Sequence, residues 1–272
     1  MEASSHGLEQ KRLDGLNFKA GIFTNFSQDH LDYHKTMKNY FNAKLILFKK
    51  LLSKNKNIIA DGSSKEFSTL KKIAKKRKLK ILDSSKIDFF KNDIPKNFID
   101  TFQTKNVSMA VLAAQLSKLS SLKIKNKIKK IENVDGRLEL IRKFPNNIKV
   151  YIDYAHTPDA LLVALKSLNN EKKDKISIVF GCGGERDFKK RSSMARVVRL
   201  ICEKIYVTDD NPRNENPKKI RKDLSKYIST NKCFDIGNRA LAIKKAIQNS
   251  MPQEISLIAG KGHEERQIYR NK

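Results

Sequence analysis

Lys149-Val150-Tyr151-Ile152-Asp153-Tyr154-Ala155-His156-Thr157-Pro158-Asp159 is the stretch that decides how this chain folds. Val150, Tyr151 and Ile152 follow one another without alternation, the pattern of a strand buried on both faces of a parallel sheet. Polar residues from Asp153 onward end that strand, and a helix is predicted from Pro158. The same arrangement recurs downstream. Ile176–Phe180 runs into Gly181-Cys182-Gly183-Gly184-Glu185-Arg186-Asp187, and Ile205-Tyr206-Val207-Thr208 runs into Asp209-Asp210-Asn211-Pro212-Arg213. Ile255–Ala259 runs into Gly260-Lys261-Gly262-His263-Glu264. Helices predicted from Ser192, Pro217 and Arg239 alternate with these strands, which reads as an α/β sheet.

Upstream the rhythm is similar. Residues 36–52 space Met37, Tyr40, Phe41, Ala43, Leu45 and Phe48 along one helical stripe. Strands are expected at 57–60, before Asp61-Gly62, and at 79–82, with a basic helix between them. Residues 85–99 have no clear period and read as irregular, whereas 108–119 read as a buried, alanine-rich helix. After a lysine-rich stretch, Gly136-Arg137 opens the second run of strands. The best single cut lies near residue 135, giving domains 1–135 and 136–272.

Composition narrows the function. The 272 residues are 39% apolar, enough for two modest cores. The three cysteines, Cys182, Cys202 and Cys233, follow no paired or metal-like spacing, which points to a reducing, cytoplasmic setting. No apolar run approaches about 18 residues, so no membrane span is expected. Met1 to His6 lack the basic and apolar blocks of a signal peptide. The net charge of +28 would favour nucleic acid non-specifically, but it comes from 44 scattered Lys against 13 Arg. The densest run, residues 71–78, has no interleaved aromatics to stack on bases. Neither a specific nucleic-acid partner nor a membrane is expected.

Ligands of open α/β sheets bind beyond the carboxyl ends of the strands. Four polar clusters stand at such ends here, with charges of both signs and with Gly181, Gly183 and Gly184 able to let backbone N–H groups approach an anion. That is a pocket for a zwitterionic or phosphorylated ligand. A second constellation, Thr24-Asn25-Phe26-Ser27-Gln28-Asp29-His30-Leu31-Asp32-Tyr33-His34, follows the short apolar stretch 20–23. Glu2 and His30 are candidate ligands of a divalent cation, although a single histidine is more often structural. Lys44, in Asn42-Ala43-Lys44-Leu45, would ordinarily be a snorkelling surface residue.

Taken in order, these motifs resemble the Mur ligase family. The carriers are residues 1–8, Asp29-His30-Leu31-Asp32-Tyr33-His34, Ala43-Lys44, Gly136-Arg137 and the four strand-end clusters. The resemblance implies a remnant of the family's central ATPase-type domain followed by a Rossmann-like C-terminal domain. It also implies an ATP-dependent amide ligase of peptidoglycan synthesis, in which a carboxylate is phosphorylated and an incoming amine attacks the acyl phosphate. Glu2 and His30 match ligands of Mg²⁺, and Lys44 matches a lysine whose carbamylation turns a cation into an anion near the metal. Lys44, His30 and Arg137 match the catalytic positions. Ser4, Gln10 and Arg12 match contacts to UDP-N-acetylmuramoyl-L-alanyl-D-glutamate. Asn106, Arg137, Asp153 and His156 match the ATP site. Arg186, Asp210, Asn211, Pro212, Arg213, Gly260 and Glu264 match the amino-acid pocket. Asp210-Asn211-Pro212-Arg213 resembles the signature for meso-diaminopimelate, whose distal carboxylate a guanidinium can grip with two parallel hydrogen bonds.

The chain also departs from the family pattern. No Gly-rich turn ending in Gly-Lys-Thr or Gly-Lys-Ser occurs in these residues, so a truncated ligase is expected, with an N-terminal half supplied as a separate partner or as part of a longer natural chain. Asp100 and Gln103 stand at the glycine and first asparagine of the family's Gly-x-Phe-Asn-x-x-Asn pattern. The alternative reading is therefore a non-catalytic fragment or subunit that binds diaminopimelate and cannot activate ATP.

Overall fold

A computed structural model describes residues 1–87, 93–95, 101–169 and 175–270, with Thr101 described in its backbone only. The chain forms two compact units, one of residues 1–27 and 34–132 and the other of residues 28–33 and 133–272.

The first unit begins with α1 (Ser5–Glu9), whose first turn is closed by the Gly7 N–H donating to Ser4 Oγ at 3.1 Å. Then come β1 (Ala20–Phe23), α2 (Leu31–His34, which starts among the residues of the second unit) and α3 (Met37–Ile46). Thr36 caps α3, and a π-helical turn, Leu47–Leu51, continues it. β2 (Asn57–Ala60), α4 (Phe67–Arg77), β3 (Lys80–Asp83), α5 (Thr101–Leu116) and α6 (Ser121–Ile128) complete the unit. The strands form a parallel sheet in the order β1-β2-β3. The lysine-rich run sits as its spacing suggests: Lys71, Lys72, Lys75 and Lys76 are exposed, while Leu70, Ile73 and Ala74 face the core with Leu8, Phe23, Leu45, Phe48 and Ile58. Lys78, at φ +54°, ends α4 in the left-handed region.

The second unit is built on β4 (Glu139–Lys143), β5 (Lys149–Asp153), α7 (Pro158–Leu168), β6 (Ile176–Phe180) and α8 (Lys189–Ile201). β7 (Lys204–Val207), α9 (Pro217–Ser225), β8 (Cys233–Asp235), α10 (Arg239–Gln248) and β9 (Ile255–Ala259) follow. The sheet order is β4-β5-β9-β6-β7-β8, parallel throughout except for β4 against β5. β6 and β9 are buried at every position, as their uninterrupted apolar runs require. The last strand returns between β5 and β6, so β5, β9, β6 and β7 point their carboxyl ends to one edge.

Several elements differ from the sequence reading. β4 was not foreseen because it is an edge strand, with Leu140 and Ile141 both exposed and no alternation to betray it. β8 has only three residues. α6 lies in the lysine-rich stretch, where its buried Ile124 and Ile128 are hidden among cations. α5 begins at Thr101, ahead of the alanine-rich run, and α8 begins at Lys189. The irregular segment expected at 85–99 lies largely outside the described residues. Among the described residues, no helix is long and apolar enough to cross a membrane.

Candidate functional site

In the second unit the loops at the carboxyl edge are held to one another by backbone. Asp153, buried at the end of β5, accepts from the N–H of Leu138 at 2.8 Å and of Ala155 at 2.6 Å. One carboxylate thus fixes the turns that carry Arg137 and His156. Gly136, at φ +67°, packs where a Cβ would lie 2.5 Å from the His263 nitrogen, so glycine is needed there for conformation and for space. Arg137 lies over the ring of Tyr154 at 4.5 Å, and Tyr154 stacks on His263 with ring centroids 5.5 Å apart.

Glu264 gathers three donors. Tyr154 O–H reaches one carboxylate oxygen at 3.2 Å, and the other accepts from Asn211 Nδ2 at 3.2 Å and from Lys261 Nζ at 2.9 Å. Burial raises the carboxyl pKa, but the Lys261 charge and these donors more than offset it and hold Glu264 below the ordinary range. Asn211 is itself oriented by Lys261 Nζ and the Ile268 N–H, which donate to its Oδ1 at 2.8 and 3.0 Å. Arg213 takes φ +53°, and its NH1 donates to Gly184 O at 3.0 Å and Asn211 O at 3.2 Å. A Cβ on Gly184 would fall 2.0 Å from the Pro212 carbonyl oxygen, and Gly184 N–H donates to Asn211 O at 2.9 Å. The glycine loop and the Asp210–Arg213 loop are therefore in direct backbone contact. Gly260 (φ +109°) lies with its would-be Cβ 2.8 Å from Asp210 Oδ2.

The segment 28–33 lies against the same edge. Asp29 pairs with His156 Nε2 at 3.4 Å and with the buried Lys190 at 3.7 Å, and His30 Nε2 lies 3.7 Å from it. Burial raises the Asp29 carboxyl pKa, yet the His156 hydrogen bond and the Lys190 charge drive it far below the usual range. Gln28 Nε2 donates to Asp187 at 2.9 Å, and Arg186 reaches Asp32 at 3.6 Å. Behind the glycine loop, buried Arg191 binds Glu215 through two hydrogen bonds of 2.7 Å and Asp223 through one of 2.8 Å.

In the first unit, Glu2 is exposed, Ser4 serves as the α1 cap, and Arg12 Nε donates to Gln10 Oε1 at 2.9 Å. Lys44 lies over the Tyr40 ring at 5.2 Å, and Tyr40 stacks on buried His34, whose Nε2 is 2.9 Å from Ser5 Oγ. Asn106 is exposed on α5. Of the expected residues, the structure thus brings Arg137, Asp153, His156, His30, Arg186, Asp210, Asn211, Pro212, Arg213, Gly260 and Glu264 into one unit, and Glu2, Ser4, Gln10, Arg12, Lys44 and Asn106 into the other. Asp29, Tyr154, Lys190, Lys261 and Gln267 were not singled out from sequence. Asp29 had a signal, its place beside His30; Lys190 had none against so many lysines.

Among the described residues, no three His, Cys, Asp or Glu side chains form a metal-holding group. Of the residues expected to hold a metal, Glu2 and Lys44 lie in the first unit and His30 in the second.

A parallel sheet that gathers paired cations and carboxylates in its carboxyl-edge loops defines a class: an α/β protein whose strand-end loops carry fixed charges of both signs. Comparison with known proteins narrows it. The Mur ligase middle domain family matches residues 1–134 and the family described as Mur ligase, glutamate ligase domain matches residues 136–262; the chain belongs to the Mur ligases. It is 41% identical to the UDP-N-acetylmuramoyl-L-alanyl-D-glutamate–2,6-diaminopimelate ligase of Rickettsia bellii, over 98% of this chain and 60% of that protein. One such ligase of Clostridium acetobutylicum is 36% identical over all of this chain and 60% of its own length. The chain therefore spans about 60% of the curated relatives it matches. A solved structure of a ligase of the same name aligns at TM-score 0.55 and 30% identity, over 100% of this chain and 60% of that one. Ligand-free folylpolyglutamate synthase/dihydrofolate synthase from Yersinia pestis aligns at TM-score 0.69 over 92% of this chain and 61% of that one, and at 14% identity shares the fold alone.

Proposed function

We propose that this chain carries the amino-acid-binding and part of the nucleotide-binding machinery of a cytoplasmic, ATP-dependent ligase that joins meso-diaminopimelate to UDP-N-acetylmuramoyl-L-alanyl-D-glutamate. The observation that carries this reading is the pairing, on one sheet edge, of the Arg213 guanidinium with the Glu264 carboxylate through Asn211. Arg213, held by two backbone carbonyls, faces a substrate carboxylate; Glu264 takes an ammonium in exchange for part of its bond to Lys261. Arg186, Asp210, Pro212 and Gly260 shape the same pocket. In the second unit Asp153 acts through the backbone on Arg137 and His156, which match nucleotide-site positions of the family; in the first unit Asn106 matches another. Ser4, Gln10 and Arg12 contact the UDP-muramoyl-dipeptide. By the family resemblance, Glu2 and carbamylated Lys44 of the first unit and His30 of the second are the residues proposed as Mg²⁺ ligands, and the ion would supply charge neutralisation for phosphoryl transfer from ATP.

The test is formation of ADP and tripeptide product by this chain, given Mg²⁺, ATP, the UDP-muramoyl-dipeptide and diaminopimelate. The absence of a Gly-Lys-Thr or Gly-Lys-Ser turn from these residues favours a second reading, in which the chain binds diaminopimelate and the phosphate-cradling loop comes from elsewhere. Saturable diaminopimelate binding without turnover supports that second reading. Turnover by the chain alone overturns it, and folded protein that binds no diaminopimelate overturns both.

A further inference from the structure

The Asp209–Arg213 loop is tied down by residues 266–270, beyond the part of the chain that the family match covers, which ends at 262. Gln267 Nε2 donates to two successive carbonyls, Asp209 O and Asp210 O, each at 2.9 Å. A primary amide has two N–H donors, so both are spent on this one loop. The Ile268 N–H donates to Asn211 Oδ1 at 3.0 Å, and Tyr269 O–H donates to Asp209 Oδ2 at 2.9 Å. Arg213 N–H donates to Ile268 O at 3.0 Å and Arg213 O accepts from the Arg270 N–H at 2.6 Å. Lys261 closes the base of the strap by donating to Arg266 O. Every loop residue except Pro212, which has no N–H, is therefore bonded to the tail.

We propose that residues 266–270 form a strap that sets the geometry of amino-acid recognition, with Gln267 as its positioning residue. Two features make the strap more than a tether. Arg213 sits at φ +53°, a conformation that L-residues avoid and that surrounding structure must impose. The Ile268 N–H also orients Asn211, whose amide in turn donates to Glu264, so one strap sets both the guanidinium and the carboxylate of the pocket. The substrate part of this inference rests on the function proposed above; the mechanical part does not.

Both parts are tested on the full chain with Gln267→Ala. In the free protein, exchange of the Arg213 amide should speed up by about tenfold or more; unchanged exchange would overturn the strap. A titration series with meso-diaminopimelate then compares wild type, Gln267→Ala, Arg213→Ala and the double variant. Gln267→Ala should weaken binding roughly tenfold alone, and less than about threefold when Arg213 is already removed. Equal losses in both backgrounds would show that Gln267 does not act through Arg213 and would sink the positioning role. Should Gln267→Ala fold poorly, Tyr269→Phe, which removes one hydroxyl donor to Asp209, carries the same comparison. If wild type binds no diaminopimelate while the exchange effect is present, the substrate assignment fails and the strap stands.

Discussion

Arg213 is already anchored, with NH1 on the Gly184 and Asn211 carbonyls, so in its proposed role little side-chain freedom would be left to lose when a carboxylate arrives. In that role, truncating it would leave the carboxylate desolvated without a partner. Arg213→Ala should weaken diaminopimelate binding by about 2–5 kcal/mol, read by titration calorimetry; an unchanged affinity removes Arg213 from this role. Asp153 makes a different prediction, because both of its oxygens accept from buried backbone N–H groups. Asp153→Asn turns one acceptor into a donor facing a donor and should cost about 1–3 kcal/mol in urea denaturation. The place of Arg213 and Glu264 at strand ends was legible in the sequence from the apolar runs before them; their proposed role came from the family resemblance. Tyr154 and Gln267 were not, since what matters about them is where a ring and an amide land after folding.

At the scale of elements, the glycine loop after β6 and the loop after β7 share backbone contacts that admit no side chain. Gly184→Ala puts a Cβ 2.0 Å from the Pro212 carbonyl oxygen, and backbone cannot yield as a flexible side chain would. The variant should lose about 1–3 kcal/mol of stability and, with it, diaminopimelate affinity. Helix α8 is tied to the segment before α9 and to α9 itself through Arg191, Glu215 and Asp223. The Arg191 hydrogen bonds lower the Glu215 pKa against an opposing effect of burial. A carboxyl depressed in the folded state contributes fully above its unfolded pKa of about 4.3 and loses that contribution as pH falls through the folded value. Glu215→Gln should therefore melt lower than wild type at pH 7, with the gap closing below about pH 4; a gap constant with pH would mean the ion pair contributes nothing by charge. The element pattern was readable wherever a strand or helix buried an uninterrupted or periodic apolar set, as in β6, β9 and α4. It failed at β4 and β8, where an edge strand is defined by its hydrogen-bonded neighbour rather than by its own side chains.

For the whole molecule, the second unit has its own buried centre in Leu161, Leu165, Val179, Val198, Tyr206 and Leu257, each side chain contributing about 1.5–3 kcal/mol of burial. A polypeptide of residues 133–272 should accordingly melt in one cooperative transition by circular dichroism. Its melting point should lie below that of the same unit in the full chain, because residues 28–33 supply the Asp29 carboxylate that partners buried Lys190. A broad, non-cooperative melt would show that this centre does not suffice. The charge of +28 acts at the same scale: duplex DNA should bind weakly and lose affinity steeply with salt, without any effect of diaminopimelate.

The sequence by itself determined the alternation of strand and helix, the run of polar clusters at the strand ends and the family to which the chain belongs. The first two follow from local order along the chain, where apolar periodicity and adjacent turn residues are sufficient; the family came from the resemblance of its ordered motifs and from the relatives they match. Only the tertiary structure decided that β9 returns between β5 and β6, that residues 28–33 join the second unit, and that Gln267 holds the Asp209–Arg213 loop. Each of these is a pairing between segments far apart in the chain. Hydrogen bonds of backbone carbonyls are indifferent to the side chains they carry, so such pairings leave almost no trace in the residues themselves.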